Sequence, residues 1–191
     1  SNRMHQGIWN KSATGSTEIR GKKLGIIGYG SIGKQLSIVA ENLGMEVLYY
    51  DIVDKLTLSN ARKCDTLEEL LSESDIVTLH IDGRESNKNV FGKKEFDAMK
   101  HGSIFLNLAR GFVVEISALK EALDSGKVRA AAVDVFPVEP KTNNDEFVSE
   151  LKGYENLILT PHIGGSTEEA QTNIADFVPS KLMKYINTGS T

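Results

Sequence analysis

Sulfur chemistry is nearly absent: the 191 residues include one cysteine, Cys64. A single thiol excludes an internal disulfide and a cysteine-built metal cluster, and no metal site is expected. Cys64 lies in the polar run Ala61-Arg62-Lys63-Cys64-Asp65 with no histidine close by, so it reads as an ordinary thiol, not a nucleophile. No apolar run reaches the roughly eighteen residues of a membrane span. No secretory signal is visible, and a reducing cytoplasm is the expected compartment. Charge of one sign is also lacking. The 26 acids and 22 bases are interspersed, the net charge is −4, and there is no basic tract. Neither nucleic acid nor a membrane is therefore expected as a partner, and any bound anion must be held by a few local groups.

Proline is scarce, with four residues, while glycine is plentiful, with 17. That balance suits an α/β chain with many tight strand-to-helix turns. The length fits one domain. Six apolar segments read as strands: Lys23 to Ile27, Met45 to Tyr50, Asp75 to His80, Ser103 to Leu108, Arg129 to Val135 and Leu157 to Thr160. Most are nearly continuous apolar runs, as strands covered by helices on both faces require. Thr66-Leu67-Glu68-Glu69 and Ser166-Thr167-Glu168-Glu169 have the spacing of a capping box and mark helix starts. The last helix spans about Ser166 to Ile186, and Pro179 inside it should kink or split it. Ser1 to Arg20 reads as a helix end followed by a loop, with one aromatic anchor, Trp9. The expected architecture is a doubly wound parallel six-stranded sheet, a Rossmann fold, with connecting helices at both ends.

The first strand runs into Gly28-Tyr29-Gly30-Ser31-Ile32-Gly33. Gly28 permits a tight turn, Gly30 lets a pyrophosphate approach the backbone, and Gly33 lets the helix pack on the strand. Free N–H groups at that helix start face the anion. A glycine-rich turn alone is weak, but here a strand precedes it, a helix follows, and the second strand ends at Asp51. A carboxylate there accepts hydrogen bonds from the adenosine ribose and repels a 2′-phosphate. Lys55 is the nearest base in sequence, so NAD is expected rather than NADP.

Three later strand ends carry polar groups: Asn107-Leu108-Ala109-Arg110-Gly111, Asp134 through Glu139-Pro140, and Thr160-Pro161-His162-Ile163-Gly164-Gly165. In this fold such ends converge on one crevice, so Arg110, Glu139 and His162 can meet. Oxidation of a carbinol carbon needs a base for the hydroxyl proton, and imidazole suits that task. A carboxylate on the other ring nitrogen fixes the tautomer, and a guanidinium can clamp a 2-oxo acid. Singly, each is as readily a surface charge, a loop residue or a helix cap. His80 ends the third strand and faces the same crevice, where a packing role beside the cofactor is expected; His101 reads as surface.

The string Leu24 to Gly33 and the segments Asn107 to Gly111, Asp134 to Pro140 and Leu159 to Gln171 resemble the D-isomer-specific 2-hydroxyacid dehydrogenases. Within them the Gly-Tyr-Gly turn, Trp9-Asn10-Lys11 and His-Ile-Gly-Gly-Ser-Thr are similar to a branch whose substrate is a phosphorylated glycerate. The resemblance implies His162 as acid/base, Glu139 as its partner and Arg110 on the substrate and nicotinamide side. It implies Asp51 on the ribose, Ser31 and Ile32 at the pyrophosphate turn, and Asp134 near the carboxamide. Leu108, Ala109 and the Ile163-Gly164-Gly165 backbone would complete the nicotinamide pocket. It further implies that residues 1–20 and 166–191 link to a substrate domain outside this chain, that a regulatory domain can follow, and that the protein is a homodimer or homotetramer. Two departures stand out: many relatives have Val-Pro after the residue matching His80, where this chain has Ile81-Asp82-Gly83, and Pro179 falls where a smooth helix is usual. Two rival readings stay open. One is a same-fold enzyme for another acid (glyoxylate, 2-oxoglutarate or lactate). The other is an NAD-sensing binding protein of the transcriptional-corepressor kind.

Overall fold

The computed structural model describes residues 2–189. Seven parallel strands form one sheet in the order β3-β2-β1-β4-β5-β6-β7. They are β1 (Lys23–Ile27), β2 (Glu46–Tyr50), β3 (Arg62–Lys63), β4 (Ile76–Leu79), β5 (Ser103–Asn107), β6 (Val128–Val133) and β7 (Leu157–Leu159). The helices are α1 (Asn2–His5), α2 (Ser31–Asn42), α3 (Leu67–Glu73), α4 (Lys93–Ala98), α5 (Ile116–Asp124) and α6 (Glu168–Thr188). The doubly wound plan is the expected one, but the strand count is seven, not six. The extra strand, β3, is two exposed cationic residues paired with Leu48 and Tyr49 at the sheet edge. So short and charged a segment has no apolar signature to read.

The pleat divides the core. Leu24 and Ile26 of β1 pack with Val47 and Tyr49 of β2 against Ala40 of α2. The alternate residues Ile27 and Leu48 face the other side, where Leu70 of α3, Phe96 of α4 and Leu119 of α5 join them around Phe105. Chain reversal occurs between β1, which leads outward to β2, and β4, which leads to β5. Ligands of such sheets bind at that switch point, beyond the carboxyl ends of the strands.

Two helix details differ from expectation. Thr66 does cap α3, its Oγ1 accepting the Glu69 N–H at 3.1 Å. At α6, however, the cap is Thr167, which accepts the Ala170 N–H at 3.0 Å, one residue later than the Ser166 spacing implied. Pro179 does not split α6, which runs as one helix of 21 residues. No residue of the helix is buried, so water can take the carbonyl that the missing proline N–H leaves free. No helix among the described residues is long and apolar enough to cross a membrane.

Candidate active site

The end of β1 is clasped from both sides. Gly28 N–H donates to the Tyr50 carbonyl at 2.9 Å, and His80 N–H donates to the Ile27 carbonyl at 2.8 Å. Gly28 has φ +93°, and a Cβ there would lie 2.7 Å from the His80 carbonyl, so only glycine fits. Gly30 has nothing within 4 Å of its Cβ direction, which leaves backbone open to an approaching anion. A Cβ on Gly33 would overlap the Gly28 carbonyl oxygen, so the third glycine lets α2 sit against the turn. Ser31 and Ile32 open α2, with the Ile32 side chain exposed. Tyr29, which the sequence offered only as a marker, is fully buried beneath the turn. Its ring stacks on Tyr49 at 3.8 Å, and its hydroxyl meets Ser37 Oγ at 2.8 Å.

Asp51 follows β2 and is held in place by the turn itself. Its Oδ2 accepts the Tyr29 N–H at 2.8 Å and its Oδ1 the Val53 N–H at 2.9 Å. Gly28, Gly30, Asp51 and His80 line one cavity of about 310 Å³. Open backbone at a helix start and a fixed carboxylate at the next strand end are the two things a dinucleotide's pyrophosphate and ribose require. The residues present fit NAD.

The second cluster lies at the ends of β5, β6 and β7. His162 Nδ1 is 2.9 Å from Glu139 Oε2, and Glu139 Oε1 accepts the Phe136 N–H at 3.0 Å. Burial opposes ionisation of Glu139. The hydrogen bonds from His162 and Phe136, with the charges of His162 and Arg110, outweigh it and hold the carboxyl below its ordinary value. His162 has φ +52°, a left-handed backbone that non-glycine residues seldom adopt and that clusters at functional sites. Both side chains line a cavity of about 590 Å³.

Arg110 does not touch this pair. Its Nη1 donates to the Ala109 carbonyl at 2.7 Å, and its stem runs beside Gly83, where a Cβ would lie 3.1 Å from Arg110 Cγ. Its charge nevertheless acts on Glu139. The missing side chain at Gly83 leaves room for the Arg110 stem.

Asp134 is buried, and its carboxylate is engaged inside the protein. Oδ1 accepts the Thr160 hydroxyl at 2.5 Å and the Ile163 N–H at 3.1 Å, and Oδ2 accepts the Gly164 N–H at 3.3 Å. Burial opposes its ionisation, but these three donors outweigh it and keep the carboxyl below the usual range. Asp134 therefore ties the β6 end to the loop on either side of His162. Gly165 is open on its Cβ side. Leu108 is exposed, whereas Ala109 packs its methyl into the main core and offers the crevice only backbone.

His80 Nε2 lies 3.0 Å from Thr78 Oγ1, and Nδ1 is buried without a partner among the described residues. Burial holds this imidazole below the ordinary histidine value. The folded chain thus refuses a proton that the unfolded chain accepts below pH about 6.5. Stability falls as pH drops through that value and levels off once the folded imidazole charges. Thermal melts at pH 7.5 and 5.5 check this. His80→Gln is expected to shrink the difference between the two; an unchanged difference would mean burial of His80 has no part in it.

The chain is similar to known proteins over nearly its whole length. Residues 1–164 match the family described as D-isomer specific 2-hydroxyacid dehydrogenase, NAD binding domain. It is 57% identical over 188 residues to a D-3-phosphoglycerate dehydrogenase of Haemophilus influenzae, covering 98% of this chain and 46% of that protein. The corresponding enzyme of Escherichia coli K12 is 56% identical, again over 98% of this chain and 46% of the relative. The chain thus spans about half the length of the curated relatives it matches. Among solved structures, a glyoxylate reductase from Paecilomyes thermophila superposes with a TM-score of 0.83 at 32% identity, covering 99% of this chain and 56% of that one. A D-lactate dehydrogenase with NAD+ from Lactobacillus jensenii gives 0.81 at 29%, covering 100% and 60%. A glycine turn, a carboxylate fixed at the next strand end and a His–Glu pair, in a chain so matched, leave one conclusion: the chain belongs to the D-isomer specific 2-hydroxyacid dehydrogenases, as their NAD-binding domain.

Proposed function

We propose that the protein carrying this chain oxidises D-3-phosphoglycerate to 3-phosphohydroxypyruvate with NAD, the first step of phosphorylated serine biosynthesis. The observation that carries the chemistry is the 2.9 Å contact between His162 Nδ1 and Glu139. With Nδ1–H donating to the carboxylate, Nε2 keeps its lone pair and takes the proton of the C2 hydroxyl. Glu139 stabilises the imidazolium that results. Arg110 binds the substrate carboxylate and polarises C2–O. NAD, when bound, supplies the acceptor for the C2 hydride; Gly28, Gly30, Ser31, Ile32 and Gly33 would hold its pyrophosphate and Asp51 its ribose. His80, Leu108, Ala109, Asp134, Gly164 and Gly165 would surround the remainder. The choice of substrate is supported by the identity to relatives named for that acid.

The His162 side chain is 45% exposed. We infer that the 191-residue chain alone binds NAD and turns over little, since a second domain must close over this site to exclude water. Residues 1–20 and 166–191 would link to it. Ile158 of β7 and most of α6 are exposed, and such surfaces suit burial by that domain or by a second copy in a homodimer or homotetramer. Cytoplasmic residence agrees with the single buried thiol.

Full-length protein assayed on D-3-phosphoglycerate, lactate, 2-hydroxyglutarate and glycolate tests the substrate. Preference for an unphosphorylated acid would overturn that choice, and no turnover with any of them would favour an NAD-sensing binder. Glu139→Gln keeps a hydrogen-bond partner but loses the charge. It is expected to lower kcat roughly 10- to 100-fold with a smaller change in KM. That is less than the ~10⁴-fold seen where a deeply buried carboxylate orients the histidine, because Glu139 is partly open to water.

A further inference from the structure

The loop after β4 brings a base to the ribose end that no reading along the chain would place there. Asp82 grips Arg84 closely: Nε lies 2.8 and 3.0 Å from the two carboxylate oxygens, and Nη2 joins Oδ2. Asn87 Nδ2 holds Asp82 in turn, at 3.0 Å to Oδ1 and 2.9 Å to its carbonyl. The guanidinium is therefore fixed by a clamp despite its exposure. Among the described residues Nη1 has no hydrogen-bond partner. Arg84, Lys55 and Asp51 line the same cavity, and the Asp51 charge acts on Arg84 across it.

Elementary electrostatics gives this arrangement a consequence. A carboxylate at the end of β2 repels a 2′-phosphate, and that repulsion is what excludes NADP. Here the same carboxylate already accepts two backbone N–H groups, and two cations share its cavity. A phosphate on the ribose would meet Asp51 but also a guanidinium with free donors, the group best matched to phosphate.

We propose that Arg84 is a specificity-determining residue for the ribose end of the cofactor, so that this chain binds NADPH only moderately more weakly than NADH. The inference rests on the reading of this cavity as the cofactor site. Asp82 restrains the guanidinium and so sets how far it can serve a 2′-phosphate.

Isothermal titration calorimetry of the full chain with NADH and with NADPH, at low ionic strength, tests this. In the parent chain the two affinities are expected within about tenfold. Arg84→Ala is expected to widen the gap by a further tenfold, roughly the worth of one charge-assisted hydrogen bond, with NADH affinity changed less than threefold. Asp82→Asn releases the guanidinium and is expected to narrow the gap. Salt should weaken NADPH binding more steeply than NADH binding in the parent, and that excess should shrink in Arg84→Ala. No NADPH binding by the parent chain, or a ratio unmoved by both substitutions, overturns the proposal. Failure to bind NADH would overturn the cofactor reading itself.

Discussion

His162→Ala is expected to lower kcat/KM of the full-length protein about 10³-fold while the fold and NADH affinity persist. General acid–base catalysis is typically worth 10²–10⁴-fold, and no other group in the cluster can replace this imidazole. Glu139 sits on its far nitrogen, and Arg110 is turned to the Ala109 carbonyl, away from the pair. The side chain is half exposed, so its loss opens no core cavity. The backbone at φ +52° is the one structural risk, because alanine is no happier there than histidine. His162→Asn covers that risk: asparagine tolerates the left-handed region yet cannot accept the proton. Both variants should melt within a few degrees of the parent. Steady-state kinetics on D-3-phosphoglycerate and a thermal melt decide. Activity near the parent level in either variant would remove His162 from the mechanism.

What made His162 and Glu139 legible was topology. Once parallel strands are read from apolar runs, their carboxyl ends must lie along one edge, and polar residues there become neighbours however far apart in sequence. The same logic located the glycine turn and Asp51. It could not say which side chains touch. Arg110 was expected to join the pair, yet its stem lies along Gly83 and it reaches Glu139 only through its charge. That geometry depends on the loop after β4, whose conformation no pattern in Ile81-Asp82-Gly83 discloses. Arg84 was missed for the same reason: proximity to Asp51 was judged along the chain, and the base came from a different strand end. β3 escaped because two charged edge residues form a strand only by pairing with an existing neighbour. Asp134 is expected beside the carboxamide; what the structure shows is its three internal donors, Thr160, Ile163 and Gly164, through which it fixes the His162 loop.

Gly111→Ala is expected to be the most destabilising single methyl addition in the chain. A Cβ at this buried position would overlap the carbonyl carbon and oxygen of Phe136 and, less deeply, the nitrogen of Pro137. All three atoms are backbone, so no side chain can rotate away. Overpacking of a core usually costs about 1–3 kcal/mol, and a clash that only main-chain movement can relieve belongs at or above that upper end. For a domain of this size each kcal/mol lowers Tm by about 2–4 °C, so a drop on the order of 10 °C is expected. The strain also has a direction. Gly111 follows Arg110, and Phe136 donates its N–H to Glu139. Pushing these two loops apart therefore displaces the guanidinium from the carboxylate that orients His162. Survivors of the substitution should show reduced kcat even where they remain folded. Gly165→Ala supplies the comparison, since a Cβ there meets nothing within 4 Å. Calorimetric melting of both variants distinguishes backbone overlap from a general intolerance of methyl groups near the site. Equal Tm values for the two would mean that the β5 and β6 loops can separate without cost.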